Sequence, residues 1–364
     1  MRLIPKKLHA RHLAIAASAA AVLVIAGCAN LGYYFQSVGG QWQLWSREQP
    51  IARLLDDPNI APPLKQKLQA VVEIRDFASD ELGLPDNGSY RYYADLERPF
   101  VVWNVFATPE LSIEPIEWCF PVAGCVNYRG YFSKEAANQF AAELQQKGYD
   151  VFVAGVPAYS TLGWLNDPVL NTFVNHPVPE IARLLFHELA HQVVYVSGDT
   201  TFNESFAVAV EQEGLRRWFA ARGTAAQRAE HERLRAKKKD FVALILKYRS
   251  LLEEIFASQK SPIEQRAAKV RTLDALQAEY QQLKSAWGGF KGYDWWFAQR
   301  PGNAQLVSVA TYTQLVPAFQ RLLASESGDL EDFYAAVKSI GELEPEARLA
   351  RLNSLTETRA SLTR

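Results

Sequence analysis

The pattern of apolar and polar positions divides the chain into three stretches. Residues 31–83 carry apolar side chains at helical spacing. Positions 33–45 are rich in aromatic residues, and Leu64, Leu68, Val71, Val72, Ile74 and Phe77 recur three and four apart. The breakers of 83–88 then mark a loop. In 89–155 aromatic and β-branched residues gather in short runs, so 90–93, 100–105 and 149–155 read as strands and 117–132 as a hairpin around the two cysteines. A helix over 133–147, closed by Gly148, interrupts them. From Pro179 onward the spacing is helical again. Ile181, Leu184, Leu185, Leu189 and Val193 predict a helix buried on one face, and a second helix runs to about residue 221. In 224–287 Lys, Arg, Glu and Gln alternate with apolar residues, with a break at 258–262, which predicts a long antiparallel helical hairpin. Residues 303–323 read as one helix, and 341–364 as a charged, frayed tail. Helices, then strands, then helices imply an α+β fold.

Composition fits a globular protein: of 364 residues, 48% are hydrophobic and 22% charged, enough for a substantial core. The net charge of −1 argues against a nucleic-acid-binding surface. The N-terminus stands apart. Arg2, Lys6, Lys7 and Arg11 precede an apolar run over 13–26 that is short for a membrane span and suits a secretory signal. Ile25-Ala26-Gly27-Cys28 resembles a bacterial lipobox, which implies removal of residues 1–27 and a lipid on Cys28. A plain signal peptide or an uncleaved anchor is the alternative. Cleavage would leave a net charge of about −5. Ala29, by the same resemblance, favours the outer membrane, with the protein facing the periplasm. In an exported protein Cys119 and Cys125 are expected to pair as a disulfide, the alternatives being free thiols or metal ligands.

The chemistry centres on Phe186-His187-Glu188-Leu189-Ala190-His191-Gln192. Two histidines four apart on a helix project from one face and can hold one Zn²⁺. Glu188 need not be a ligand; beside the metal position it can take a proton from water. A third ligand is needed. Positions 194 and 197 are Val and Ser, and no histidine follows until His231. Glu204, in the first turn of the second helix after the 197–201 turn, is the candidate, with Glu211 and Glu213 as fallbacks. Asn203 and Asp199 could orient a ligand or cap that helix.

His-Glu-Leu-Ala-His-Gln followed by Phe202-Asn203-Glu204-Ser205-Phe206-Ala207 resembles the gluzincin peptidases. With the 159–168 stretch, Trp118-Cys119-Phe120-Pro121-Val122-Ala123-Gly124-Cys125 and Tyr128-Arg129-Gly130-Tyr131-Phe132, the chain resembles the bacterial family called putative aminopeptidases over roughly 31–340. The resemblance implies a zincin-like metallopeptidase core, with the hairpin as an insertion. It also implies one Zn²⁺ per chain, held by His187, His191 and Glu204, with Glu188 as general base. In zincins an edge strand pairs with the substrate backbone, and Ser160, Thr161, Leu162, Gly163 and Trp164 are expected to do so here. Gluzincins often supply a late Tyr or His to the oxyanion, and Tyr312 is the candidate. The only methionine is Met1, so a Gly-Ala-Met-Glu-Asn segment for a substrate amine is absent, leaving aminopeptidase and endopeptidase action both open.

The expected organisation is a signal peptide (1–27), an N-terminal helical region (28–88), the sheet with the active-site helices (89–223), the hairpin (224–287), a C-terminal helical part of the catalytic domain (288–340) and the tail (341–364). The expected activity is peptide hydrolysis in the cell envelope, with a peptide substrate and a membrane attachment at Cys28. A competing reading is a non-catalytic envelope lipoprotein with a structural zinc, whose hairpin recruits a protein partner.

Overall fold

The computed structural model describes residues 33, 35–120 and 124–357. The signal stretch and Cys28 lie outside them. Among the described residues no helix is long and apolar enough to cross a membrane. The described residues fall into two units, and the first, within 1–47, contains helix α1 (35–47). The described residues from 48 onward form the other.

The larger unit is α+β and mostly helical. It opens with β1 (Gln49–Pro50), α2 (Ile51–Asp56) and α3 (Pro62–Asp80), followed by β2 (Tyr92–Ala94) and β3 (Val102–Pro109). Next come β4 (Trp118–Phe120), β5 (Gly124–Val126), β6 (Arg129–Tyr131), α4 (Lys134–Gln146) and β7 (Tyr149–Val156). The main sheet is antiparallel in the order β6-β3-β7, and β3 is buried along nearly all its length. The β4–β5 hairpin pairs Cys119 with Cys125, which are joined by a disulfide. β8 (Val169–Leu170) adds parallel to β2, and the short α5 (Asn171–Val174) follows. Within the expected strand at 90–93, only 92 and 93 are extended into β2. Tyr90 is left-handed (φ 63°), so the chain turns before the strand begins.

α6 (Val178–Val193) and α7 (Thr200–Arg222) pack together as the centre of the unit. Pro179 in the first turn of α6 costs no hydrogen bond, because N–H groups there have no partner within the helix. The expected one-sided burial is not what is found: every residue from Phe186 to His191 is buried. α3 covers α6 as well. Gly214 of α7 lets the two helices approach, since a Cβ there would lie 2.6 Å from the Phe186 ring.

α8 (Ala225–Ala257) and α9 (Pro262–Ala286) form a hairpin, each opened by a capping box. Its inner face is part of a second core: Phe241, Ile245, Leu276 and Tyr280 meet Trp296, Phe297 and Leu306. The three lysines at 237–239 read as a solvated turn, yet Lys237 is buried and stacks over Phe290, while Lys238 turns inward to Glu211. The single helix expected over 303–323 is two, α10 (Asn303–Thr313) and α11 (Val316–Ser325). Pro317 has no N–H to continue the ladder, and the Leu315 N–H is taken by Ser205 Oγ at 3.2 Å. Part of the expected tail is helical, too. After α12 (Leu330–Gly341), α13 (Pro345–Glu357) buries Leu352, and its Arg348 donates to Asp199 at 2.6 Å.

Candidate metal centre

α6 and α7 are joined by a turn that the sequence fixes tightly. Asp199 caps α7 by accepting from the Phe202 N–H at 3.0 Å, and Asn203 bonds both backbone groups of Val196. Neither residue touches the histidines; both set the angle at which α7 returns along α6. That return brings Glu204 Oε2 to 3.2 Å from His187 Nε2 and 3.6 Å from His191 Nε2. All three residues are buried, and their ligand atoms lie within 4.8 Å of one another. Donors bound at roughly 2.0–2.1 Å in a tetrahedron stand about 3.3 Å apart. The two spacings straddle that value, so these residues could hold one metal ion with little rearrangement.

Electrostatics follow from the packing. Burial would lower the His187 pKa, but the carboxylates of Glu204 and Glu211 outweigh it and raise it to about 10. Burial would raise Glu204, but the two histidines hold it at about 2. Glu204 is therefore ionised at neutral pH, as a metal ligand must be. Glu188, buried on the same helix, is shifted upward by desolvation, partly offset by His187 and His191.

Glu211, a fallback ligand from sequence, sits two turns beyond Glu204 on the same face of α7. It lies 3.2 Å from His187 Nδ1, the nitrogen pointing away from Glu204, and accepts from Arg183 at 2.9 Å and Lys238 at 3.1 Å. The angle there falls short of a hydrogen bond, so Glu211 acts on the imidazole through its charge, on the side away from Nε2. Glu213 is engaged by Arg216 and Arg217 instead. His231 stacks on Phe219.

Two tyrosines approach from other elements. Tyr312 is carried by α10, which packs on the main sheet and on α7; its ring stacks 6.2 Å from that of His187. Tyr128, between β5 and β6, faces Glu204, whose carboxylate adds to the rise of its hydroxyl pKa. It is held there because the neighbouring Asn127 N–H donates to Thr200 Oγ1 at 3.4 Å. Burial pushes both hydroxyls well above the ordinary tyrosine pKa, so they remain protonated donors. Sequence reading missed Tyr128; its one signal was membership of the Tyr-Arg-Gly-Tyr-Phe stretch.

The 160–164 segment is not a strand. Asp167 accepts from the Thr161 N–H at 3.1 Å and from Ser160 Oγ at 3.3 Å, folding the chain into a turn with Leu162 (φ 58°) and Gly163 (φ 79°) left-handed. Gly163 lies against Gln192, the residue after His191, while the Trp164 side chain stands in solvent. Gln192 is itself clamped: Asn87 donates to its Oε1 at 2.7 Å, and its Nε2 donates to Ser89 Oγ at 3.2 Å. Arg75, fully buried, holds that loop through the Ser89 carbonyl at 3.0 Å.

Residues 32–352 match the family described as "Putative aminopeptidase". The chain belongs to this family. No curated protein and no solved structure matches it. Family membership suggests peptidase activity, and the buried His187, His191 and Glu204 could supply the metal site such an activity uses.

Proposed function

We propose that this family member is a zinc-dependent peptidase of gluzincin type, with a zincin-like core, trimming peptides in the bacterial cell envelope. The observation that carries the reading is the convergence of His187, His191 and Glu204, their ligand atoms within 4.8 Å of one another, with Glu188 on the same helix. Two imidazoles and one carboxylate, with a fourth position left for water, are the donor set of catalytic zinc rather than of closed structural sites. Bound there, zinc supplies Lewis acidity toward the scissile carbonyl and makes water acidic enough to attack near neutral pH.

The protein's own groups do the rest. Glu188 accepts the proton of the attacking water and delivers it to the departing amine nitrogen. The Glu211 charge beside Nδ1 favours a proton on that nitrogen, which leaves Nε2 for the metal. Tyr312 donates to the developing oxyanion. The turn at 160–164, fixed by Asp167, forms part of the substrate-facing wall beside Gln192. The lipobox-like Ile25-Ala26-Gly27-Cys28 supports a lipid anchor at Cys28 and a periplasm-facing location.

The test uses the chain from residue 29 onward, loaded with zinc and incubated with a mixed peptide library beside Glu188→Gln. Mass spectrometry locates each cut. Loss of single N-terminal residues by the parent alone establishes an aminopeptidase, and internal cuts an endopeptidase. Equal turnover by both proteins removes Glu188 from its role. Zinc binding without cleavage by either returns the reading to a structural site.

A further inference from the structure

Helix α1 carries an apolar stripe with no role in the metal centre. Phe35, Val38, Trp42 and Trp45 are 70%, 68%, 67% and 43% exposed. They are spaced three, four and three apart, which places them within an arc of about 80° on the helix. Gly40 and Leu44 lie on the opposite face, and both are buried. The exposed stripe is thus distinct from the face that carries those two residues. Three of its four members are aromatic. Across 29–47 the only charged side chain is Arg47, so no carboxylate opposes approach to an apolar or anionic surface.

We propose that this stripe binds the surface of a lipid bilayer, with α1 lying in the plane of the headgroups. Tryptophan and phenylalanine favour that boundary, where an aromatic ring meets acyl chains on one side and polar groups on the other. The position of the helix singles out the bilayer over a protein partner. The inference rests on the proposed lipid at Cys28. Phe35 lies seven residues beyond it, and seven residues span at most about 25 Å. A lipid at Cys28 thus holds the stripe within reach of the membrane at all times, and membrane association is strengthened when an acyl anchor is joined by a second contact.

The experiment removes the lipid so that the two ideas separate. The chain from residue 29 to 364 is floated with phosphatidylethanolamine–phosphatidylglycerol vesicles, beside Trp42→Ser/Trp45→Ser and Phe35→Ser/Val38→Ser variants. Zinc content and thermal unfolding confirm that the variants fold. The parent should float with vesicles, and each double variant should partition at least about tenfold more weakly. Equal partitioning of all three overturns the proposal. So does a parent that stays unbound but self-associates through the same residues, because the stripe is then a protein interface. The mass of the mature N-terminus from bacterial envelopes tests lipidation separately, and its result does not alter the flotation outcome.

Discussion

The contrast between Glu204 and Glu211 is the sharpest test of the centre. Both are buried carboxylates on one face of α7, and both lie 3.2 Å from a nitrogen of His187. They differ in which nitrogen. Glu204 faces Nε2 together with His191, so in the proposed zinc site Glu204→Gln removes a ligand. Glu211 faces Nδ1, so Glu211→Gln leaves the ligand set intact and removes only the charge that orients one member. Losing such an outer partner typically weakens metal binding 10–100-fold, or about 1.4–2.7 kcal/mol. Loss of a ligand should exceed that range.

Glu211→Gln has a second effect. It leaves Arg183 and Lys238 without their shared carboxylate. Their side chains are 28% and 41% exposed, so water compensates both in part, and the metal-free protein should lose less than the 3–5 kcal/mol typical of a fully buried broken pair. Zinc affinity, measured by chelator competition at pH 7.5, should fall 10–100-fold in Glu211→Gln and more than about 100-fold in Glu204→Gln. Both proteins should give cooperative melts without metal. If Glu211→Gln loses zinc as completely as Glu204→Gln, or if Glu204→Gln stays within tenfold of the parent, the assignment of inner and outer carboxylate is wrong.

Two further outcomes follow from the surroundings. Tyr312→Phe should retain zinc and lower kcat by about 10²–10³, as expected for one oxyanion donor, whereas Tyr128→Phe should lower zinc affinity 10–100-fold through Glu204; equal effects on both quantities in the two variants would dissolve the distinction. Asp167 tests the turn. Burial, only partly offset by the Thr161 and Ser160 bonds, raises its pKa from 3.8 to about 6. The folded state then holds the proton more tightly than the unfolded chain, so stability is lost as pH rises from about 4 through about 6. At 1.36 kcal/mol per pH unit this amounts to about 3 kcal/mol. Asp167→Asn cannot ionise and should lack that loss. In urea unfolding the variant should gain on the parent between pH 4.5 and 7, and a constant difference would contradict the buried charge.

Much of the centre was legible because it is local. His187 and His191 are one helical turn apart, Pro179 and Glu180 mark the helix start, and Glu204 follows a recognisable turn. The separation of Glu204 from Glu211 is also periodic, two turns on one face. What periodicity cannot give is the ring nitrogen each carboxylate meets, which depends on how α7 crosses α6, and that in turn on the close approach at Gly214. Tyr128 is further from reach. It arrives because the loop after β5 docks on Thr200, a contact between distant parts of the chain with no local trace. The charged composition of 224–287 and 341–364 pointed to solvated surfaces. Charge density alone could not show that Lys238 and Arg348 turn inward, each toward a carboxylate on or beside α7.

The 160–164 segment shows why the strand expected there did not form. A helix closes its hydrogen bonds within four residues, so its pattern is complete in the local sequence. A strand needs a partner, and any nearer acceptor competes with it. Here the nearer acceptor is Asp167. Its carboxylate takes the Thr161 N–H and the Ser160 hydroxyl, and Ser160 Oγ in turn accepts the Leu162 N–H at 3.0 Å. Backbone donors that an edge strand would offer are thereby consumed by side chains a few residues away, the competition that makes Ser, Thr and Asp turn formers. Gly163 then supplies the left-handed residue that completes the turn against Gln192. The same composition that suggested close backbone approach to a substrate is used, in the folded chain, for close approach to the metal helix.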